Sequence, residues 1–335
     1  MEQIFIKGLP KVELHIHLEG TLDTNLIVEL AEKNGIRLPR PKEELITFSG
    51  LADFLELLNW ICSLVRDGSD ARRLAYRFAQ YASGQNIMYA EVMTNPTHWK
   101  ALPYSELIPH ILEGFEQAYG DGYCDCRLLV SLLRSQTRRE ALEMVRWMKT
   151  NRHPRLLGLS VDGNEAESES SNRELYEAFW EAKNAGFGVT VHAGESSPAA
   201  GVTEALDLLG AMRIDHGVRA VADERLLKRL SEEQIPLNVC LTSNLVELYP
   251  GVDQHPLGKL YELGIPVTVN TDDPELLGID LCGELELASG AYGWDRADLV
   301  RLEKNAVRAA FCDEETKALL FSKLEAYCRI WRIAF

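Results

Sequence analysis

The chain has 335 residues, 46% hydrophobic and 26% charged, a balance that buries a sizeable core without staples and excludes a disordered chain. Its 35 Lys and Arg stand against 51 Asp and Glu, giving a formal charge of −16 with no basic run against that background. A surface that binds nucleic acid by neutralising phosphates is therefore excluded, and a small molecule is the expected partner.

In chain order, Met1 leads into "EQIFIKGLPK", which lacks a basic segment followed by an apolar one, and no run of 18 apolar residues follows anywhere. No membrane span is expected. The seven cysteines are scattered, and the close pair Cys124 and Cys126 has neither metal-ligand nor redox spacing, so reduced thiols and a cytoplasmic location are expected. The first strand signal is "KVELHIHL", 11 to 18. Residues 19–86 then hold more than one helical pattern, including "TLDTNLIVELAEKNG" and "GLADFLELLNWICSLVRDG", an insertion expected to form a lid.

Seven further short apolar runs follow, at 87–94, 127–133, 156–163, 187–194, 212–217, 236–242 and 266–273. Helical patterns such as "PYSELIPHILEGFEQAYG" and "NRELYEAFWEAKNAGF" separate them. Strands alternating with helices pair in parallel through crossovers, and eight such units predict a closed (β/α)8 TIM-type barrel, with a doubly wound open sheet as the alternative. After residue 274 the pattern is helical to the end, so the prediction is a single barrel domain over 1–335 with extra helices after strand 1 and at the C-terminus.

In such a barrel the C-terminal strand ends converge on one mouth, so polar residues there carry the functional signal. Period-two alternation turns His15 and His17 to one side of the first strand and Val12, Leu14, Ile16 and Leu18 to the other. The fifth run ends in "VHAGE", with His192 and Glu195; the sixth ends in "DHG", with His216; the eighth ends in "TDDP", with Asp272 and Asp273. Three imidazoles and one carboxylate, His15, His17, His192 and Asp272, suit one zinc ion with positions left for water or substrate. A bound cation lowers the pKa of its water to roughly 7 and so supplies hydroxide at neutral pH. Glu195 is then the candidate proton donor, His216 the group that holds the water and manages its proton, and Asp273 an acceptor for a substrate hydrogen bond. His98, His110, His153 and His255 lie off the strand ends and are assigned no catalytic role.

The ordered segments "VELHIHLEG", "GLSVDGNE", "VTVHAGE", "RIDHGVRA", "CLTSN" and "VTVNTDDP" resemble the adenosine deaminase family of metal-dependent aminohydrolases, from about Leu9 to "LEAY". The resemblance implies zinc on His15, His17, His192 and Asp272, Glu195 protonating purine N1, His216 positioning hydroxide, Asp273 accepting a hydrogen bond at N7 and the Gly163 N–H donating to N3. It places Phe54, Leu57 and Leu58 in an apolar lid, so that His17, Glu19, Gly163, Asp273 and these three face the substrate. Adenosine-specific members usually carry Asp where this chain has Glu19, and that carboxylate contacts the ribose; "HLEG" is more like the adenine deaminase branch. Gly163 in "SVDGNE" and the "KNAVRAAFCDEETKALL" tail resemble nucleoside deaminases. The expected reaction is hydrolytic deamination of adenosine or 2′-deoxyadenosine to the inosine product and ammonia. The alternative is deamination of adenine or of a modified 6-aminopurine, such as an N6-methyl nucleotide or aminofutalosine.

Overall fold

A computed structural model describes residues 2–335. Eight strands, β1 (Lys11–His17), β2 (Ile87–Thr94), β3 (Asp125–Leu133), β4 (Leu156–Asp162), β5 (Gly188–Ala193), β6 (Arg213–His216), β7 (Leu237–Val239) and β8 (Val267–Val269), form one sheet in sequence order. Every neighbouring pair is parallel. The strand order and the parallel pairing are those of the expected TIM-type barrel.

The seam between β8 and β1 is closed by backbone and side chain together. The His17 N–H donates to the Asp272 carbonyl at 2.8 Å, and the Asp272 N–H donates to the His15 carbonyl at 3.2 Å. Below them Asn270 Oδ1 accepts from the Leu14 and His15 N–H groups at 2.9 and 3.1 Å, a side chain standing in for a missing strand rung. The expected strands at 236–242 and 266–273 are therefore shorter than their apolar patterns. Cys240 opens a helix, Leu241–Glu247, and Asp272 leaves the sheet with φ of 68°.

Inward side chains of the barrel are unusually polar. Arg213 and Glu91 pair 2.5 Å apart and fully buried, while Thr190, Asp215, Asn238, Thr268 and Asn270 form a hydrogen-bonded layer above them. The outward residues Val12, Leu14, Ile16 and Leu18 are buried against the surrounding helices, as the alternation predicts. Residues 24–33, 51–62 and 68–84 are helical, and four helices follow residue 273. One element was not anticipated: Glu2–Gly8 is a helix that buries Phe5 and Ile6, with the Tyr327 hydroxyl donating to the Phe5 carbonyl. The seven cysteines are free and buried, and among the described residues no helix is long and apolar enough to cross a membrane.

Candidate active site

His15 and His17 reach the mouth because β1 alternates, His192 because it sits near the end of β5, and Asp272 because its left-handed backbone turns it across the β8–β1 seam. One donor atom from each of His15, His17, His192 and Asp272 lies within 4.8 Å of all the others. The edges between them are 3.1 Å from His15 Nε2 to Asp272 Oδ1, 3.4 Å from His17 Nε2 to Asp272 Oδ1, and 3.1 Å between His17 Nε2 and His192 Nε2. Four ligands around zinc at about 2.0–2.1 Å stand roughly 3.3 Å apart, so the donor set and its spacing fit such an ion.

Burial would lower His15, but Cys240, Asp215 and Asp272 outweigh it and raise the ring well above the ordinary histidine range, so a metal ion would take the place of its Nε2 proton; the other three groups already stand in the state a metal needs. Burial pulls His17 down and His192 well below the ordinary histidine range, with His15 adding to both, which leaves the neutral rings a metal needs. Burial alone would raise Asp272, but His15, His216 and His17 outweigh it and hold the carboxylate well below its usual range. His15, Cys240, His216 and Asp272 also bring their donor atoms together, sharing two members with the first set.

Behind the ligands stands Asp215, fully buried, 3.1 Å from His15 Nδ1 and 3.7 Å from His192 Nδ1. Thr190 Oγ1 and Asn238 Nδ2 each donate to it at 2.8 Å and fix its orientation. Burial would raise this carboxyl, but the adjacent His15 leads a set of cations that holds it far down. An anion 3.1 Å from His15 Nδ1 favours the proton on that atom, which would leave Nε2 for a metal.

His216 ends β6 with φ of 63°, and its Nδ1 lies 3.6 Å from Glu195 Oε1 while its Nε2 lies 3.9 Å from Asp272 Oδ2. Burial, then His15, lowers it to about 4, so the ring is neutral. Glu195 is half-buried on the loop after β5, and that loop is held by Glu165, which accepts from the Gly194, Glu195 and Ser197 N–H groups at 3.0, 3.3 and 2.8 Å. Asp273 lies against Gly20, where a Cβ would come within 2.1 Å of its Oδ1 and 2.6 Å of its Cα, so only glycine admits it. Burial, with Asp272 and Glu19 nearby, raises Asp273 well above the usual carboxyl range. Gly163 follows β4 with φ of 97°.

Glu19 sits on the β2 side of the mouth. Its Oε1 accepts from Thr94 Oγ1 at 2.9 Å, the Asn95 N–H at 2.7 Å and Trp99 Nε1 at 2.8 Å, and all four residues are buried. Among the described residues its Oε2 is buried with no hydrogen-bond partner, and burial raises the carboxyl to about 7. Asn95 also donates to Asp162 Oδ1 at 2.6 Å, tying this wall to the end of β4. Leu57 and Leu58 belong to the main core, and Phe54 packs edge-on against Phe48 with ring centroids 5.2 Å apart. Their helix, Leu51–Cys62, is packed onto the turn Leu18–Thr21, and its Cys62 feels the charges of Glu19 and Asp273. The three apolar residues thus pack into the core on a helix that abuts the site.

Four polar residues around the site escape the sequence pattern. Asp215 adjoins His216, and simple alternation sends neighbours to opposite faces; the positive φ of His216 is what brings both inward. Glu165 follows the expected strand end at 163 by two residues, but nothing in "DGNE" marks it as the acceptor for the loop after β5. Asn244 and His255 were hidden because β7 was expected to run to residue 242 and His255 looked like an idle loop histidine before Pro256. Both are buried, and Asn244 Nδ2 lies 3.1 Å from His216 Nδ1.

A model of the Adenosine deaminase family matches residues 10–327. The chain belongs to this family. A relative from Vibrio parahaemolyticus named adenine deaminase is 32% identical over 96% of this chain and 97% of its own length. The crystal structure of adenine deaminase from Arthrobacter aurescens superposes with a TM-score of 0.89 at 28% identity, covering 96% of this chain and 99% of that one. An amidohydrolase from Burkholderia ambifaria, solved with bound zinc, gives a TM-score of 0.89 at 30% identity over 98% and 94% of the two chains. Membership makes this chain a hydrolytic deaminase of 6-aminopurines; these relatives do not carry the nucleoside expectation and fit its alternative better.

Proposed function

We propose that the protein deaminates free adenine hydrolytically to hypoxanthine and ammonia, with one zinc ion on His15, His17, His192 and Asp272. When bound, the metal supplies hydroxide at neutral pH for attack at purine C6. Glu195, on the loop held by Glu165, gives a proton to N1 as C6 becomes tetrahedral and then serves the departing ammonia. His216 orients the attacking oxygen, Asp273 meets N7, and the Gly163 N–H meets N3. Binding these groups to the tetrahedral ring more tightly than to the flat one is what lowers the barrier. Buried thiols fit a reducing compartment, the cytoplasm.

The observation that carries the free base over the nucleoside is the state of Glu19. Around the mouth, Glu195 follows β5, Gly163 follows β4 and Asp273 follows β8, which leaves the N9 edge of a purine facing the sector of β1 and β2. There Glu19 is held by Thr94, Asn95 and buried Trp99, so the wall a ribose would need to pass is filled. Its unpaired Oε2 suits the N9–H that adenine has and adenosine lacks.

Shortening the side chain by one methylene tests this reading. Glu19→Asp should raise the kcat/KM of adenosine relative to adenine by roughly tenfold or more. An unchanged ratio would count against Glu19 as the element that selects the base.

A further inference from the structure

We propose that His255, acting through Asn244, is a positioning residue that fixes the ring tautomer of His216. The chain starts from a donor whose role is not in doubt: the backbone N–H of Leu257 points at His255 Nδ1 from 3.2 Å. Nδ1 must therefore accept, and in a neutral ring the proton sits on Nε2. His255 Nε2 lies 3.2 Å from Asn244 Oδ1, which takes that proton as an acceptor and turns the amide nitrogen the other way. Asn244 Nδ2 then donates to His216 Nδ1 at 3.1 Å.

His216 is left with its own proton on Nε2, the atom on the Asp272 side of the ring. The three residues are 4%, 0% and 1% exposed, so water does not compete for these bonds. The ring of Tyr249 stacks edge-on against His255 with centroids 4.9 Å apart and limits its rotation. The consequence for the reaction, which rests on the proposed deamination, is a division of labour. A neutral His216 with Nε2–H can donate to and hold the attacking oxygen but cannot take its proton, so proton traffic falls to Glu195. The sequence reading gave His216 both tasks.

The test uses the zinc-loaded full chain and one isosteric change. In Asn244→Asp the carboxylate can only accept, from His255 and from His216, and so draws the His216 proton onto Nδ1. Ring nitrogen-15 NMR without substrate should find His216 protonated at Nε2 in the wild type and at Nδ1 in the variant. With zinc content unchanged, kcat for adenine should fall by about 100-fold or more while KM stays within about threefold. His255→Phe, which removes the donor, should lower kcat, and His255→Gln, which can again donate to Asn244, should restore most of it.

An Nδ1–H tautomer in the wild type, or kcat in Asn244→Asp close to wild type, would overturn the proposal. Equal impairment in the Phe and Gln variants would do the same, because it would reduce His255 to packing. If the wild type released no ammonia from any 6-aminopurine, the proposed function would fall, and the NMR tautomers alone would still decide the role of His255.

Discussion

One carboxylate backs two candidate metal ligands: Asp215 Oδ1 stands 3.1 Å from His15 Nδ1, and its Oδ2 stands 3.7 Å from His192 Nδ1. Asp215→Asn keeps the shape but loses the negative charge beside both rings. Zinc affinity, measured by competition with a chromophoric chelator, should drop by about 10–100-fold. Unchanged affinity would remove Asp215 from the support of the site.

Glu165 gathers three backbone N–H groups from the loop that presents Glu195. Glu165→Ala removes the acceptor of the Glu195 and Ser197 N–H groups and leaves Gly194 only Ser197 Oγ at 3.1 Å, so the loop must find another arrangement. We expect kcat to fall by roughly 10–100-fold with bound zinc retained, together with faster amide exchange at Gly194 and Ser197. Loss of metal in place of loss of turnover would mean that Glu165 supports His192 and not Glu195.

Much of this was legible in the sequence, for identifiable reasons. Strand alternation is local, so "KVELHIHL" was enough to turn His15 and His17 inward and Ile16 and Leu18 outward, and eight strand-like runs separated by helices were enough for the barrel. What failed were features made by distant contacts or by backbone that breaks the alternation. Asp215 faces inward beside His216 only because His216 adopts a left-handed conformation, and β8 ends at Val269 because Asn270 and Asp272 bond across to β1. Asn244 and His255 matter through each other, 11 residues apart, in the stretch after a run expected to be strand to residue 242. The substrate was ambiguous because Glu19 takes its meaning from Thr94, Asn95 and Trp99, a full crossover away.

At Gly20 the main chain passes directly against Asp273. In Gly20→Ala the new methyl would overlap the Asp273 backbone as well as its carboxylate, so the strain cannot be relieved by a side-chain rotation. A stability loss of about 1–3 kcal/mol is expected by denaturant unfolding, with adenine turnover reduced by at least tenfold. A variant as active and stable as the wild type would show that the β1 turn and the β8 end are free to separate.

Stability should fall on the alkaline side. Burial pushes Glu13 up to about 7 and Glu303 up to about 8, from an ordinary value near 4.5. Between those values the folded chain keeps protons that the unfolded chain has lost, so the native state is favoured most below about pH 4.5 by these two groups. That contribution disappears as pH rises through 7 and 8. The melting temperature should therefore drop by a few degrees from pH 6 to pH 9. Glu303→Gln, which can still face the Val12 N–H that Glu303 accepts at 2.8 Å, should shrink the drop. A melting temperature that rises over this interval, or a variant with the same slope, would contradict the assignment.

The most direct test of the whole account is release of the 6-amino group by the zinc-loaded wild type, as ammonia from adenine and adenosine and as methylamine from N6-methyl-AMP, with the ultraviolet change of the purine followed in the same samples. The account predicts one ammonia and one hypoxanthine per adenine consumed, with adenosine at least about 100-fold slower in kcat/KM. Rapid deamination of adenosine with adenine untouched would contradict it, because the wall formed by Glu19, Thr94, Asn95 and Trp99 would then have to admit a ribose.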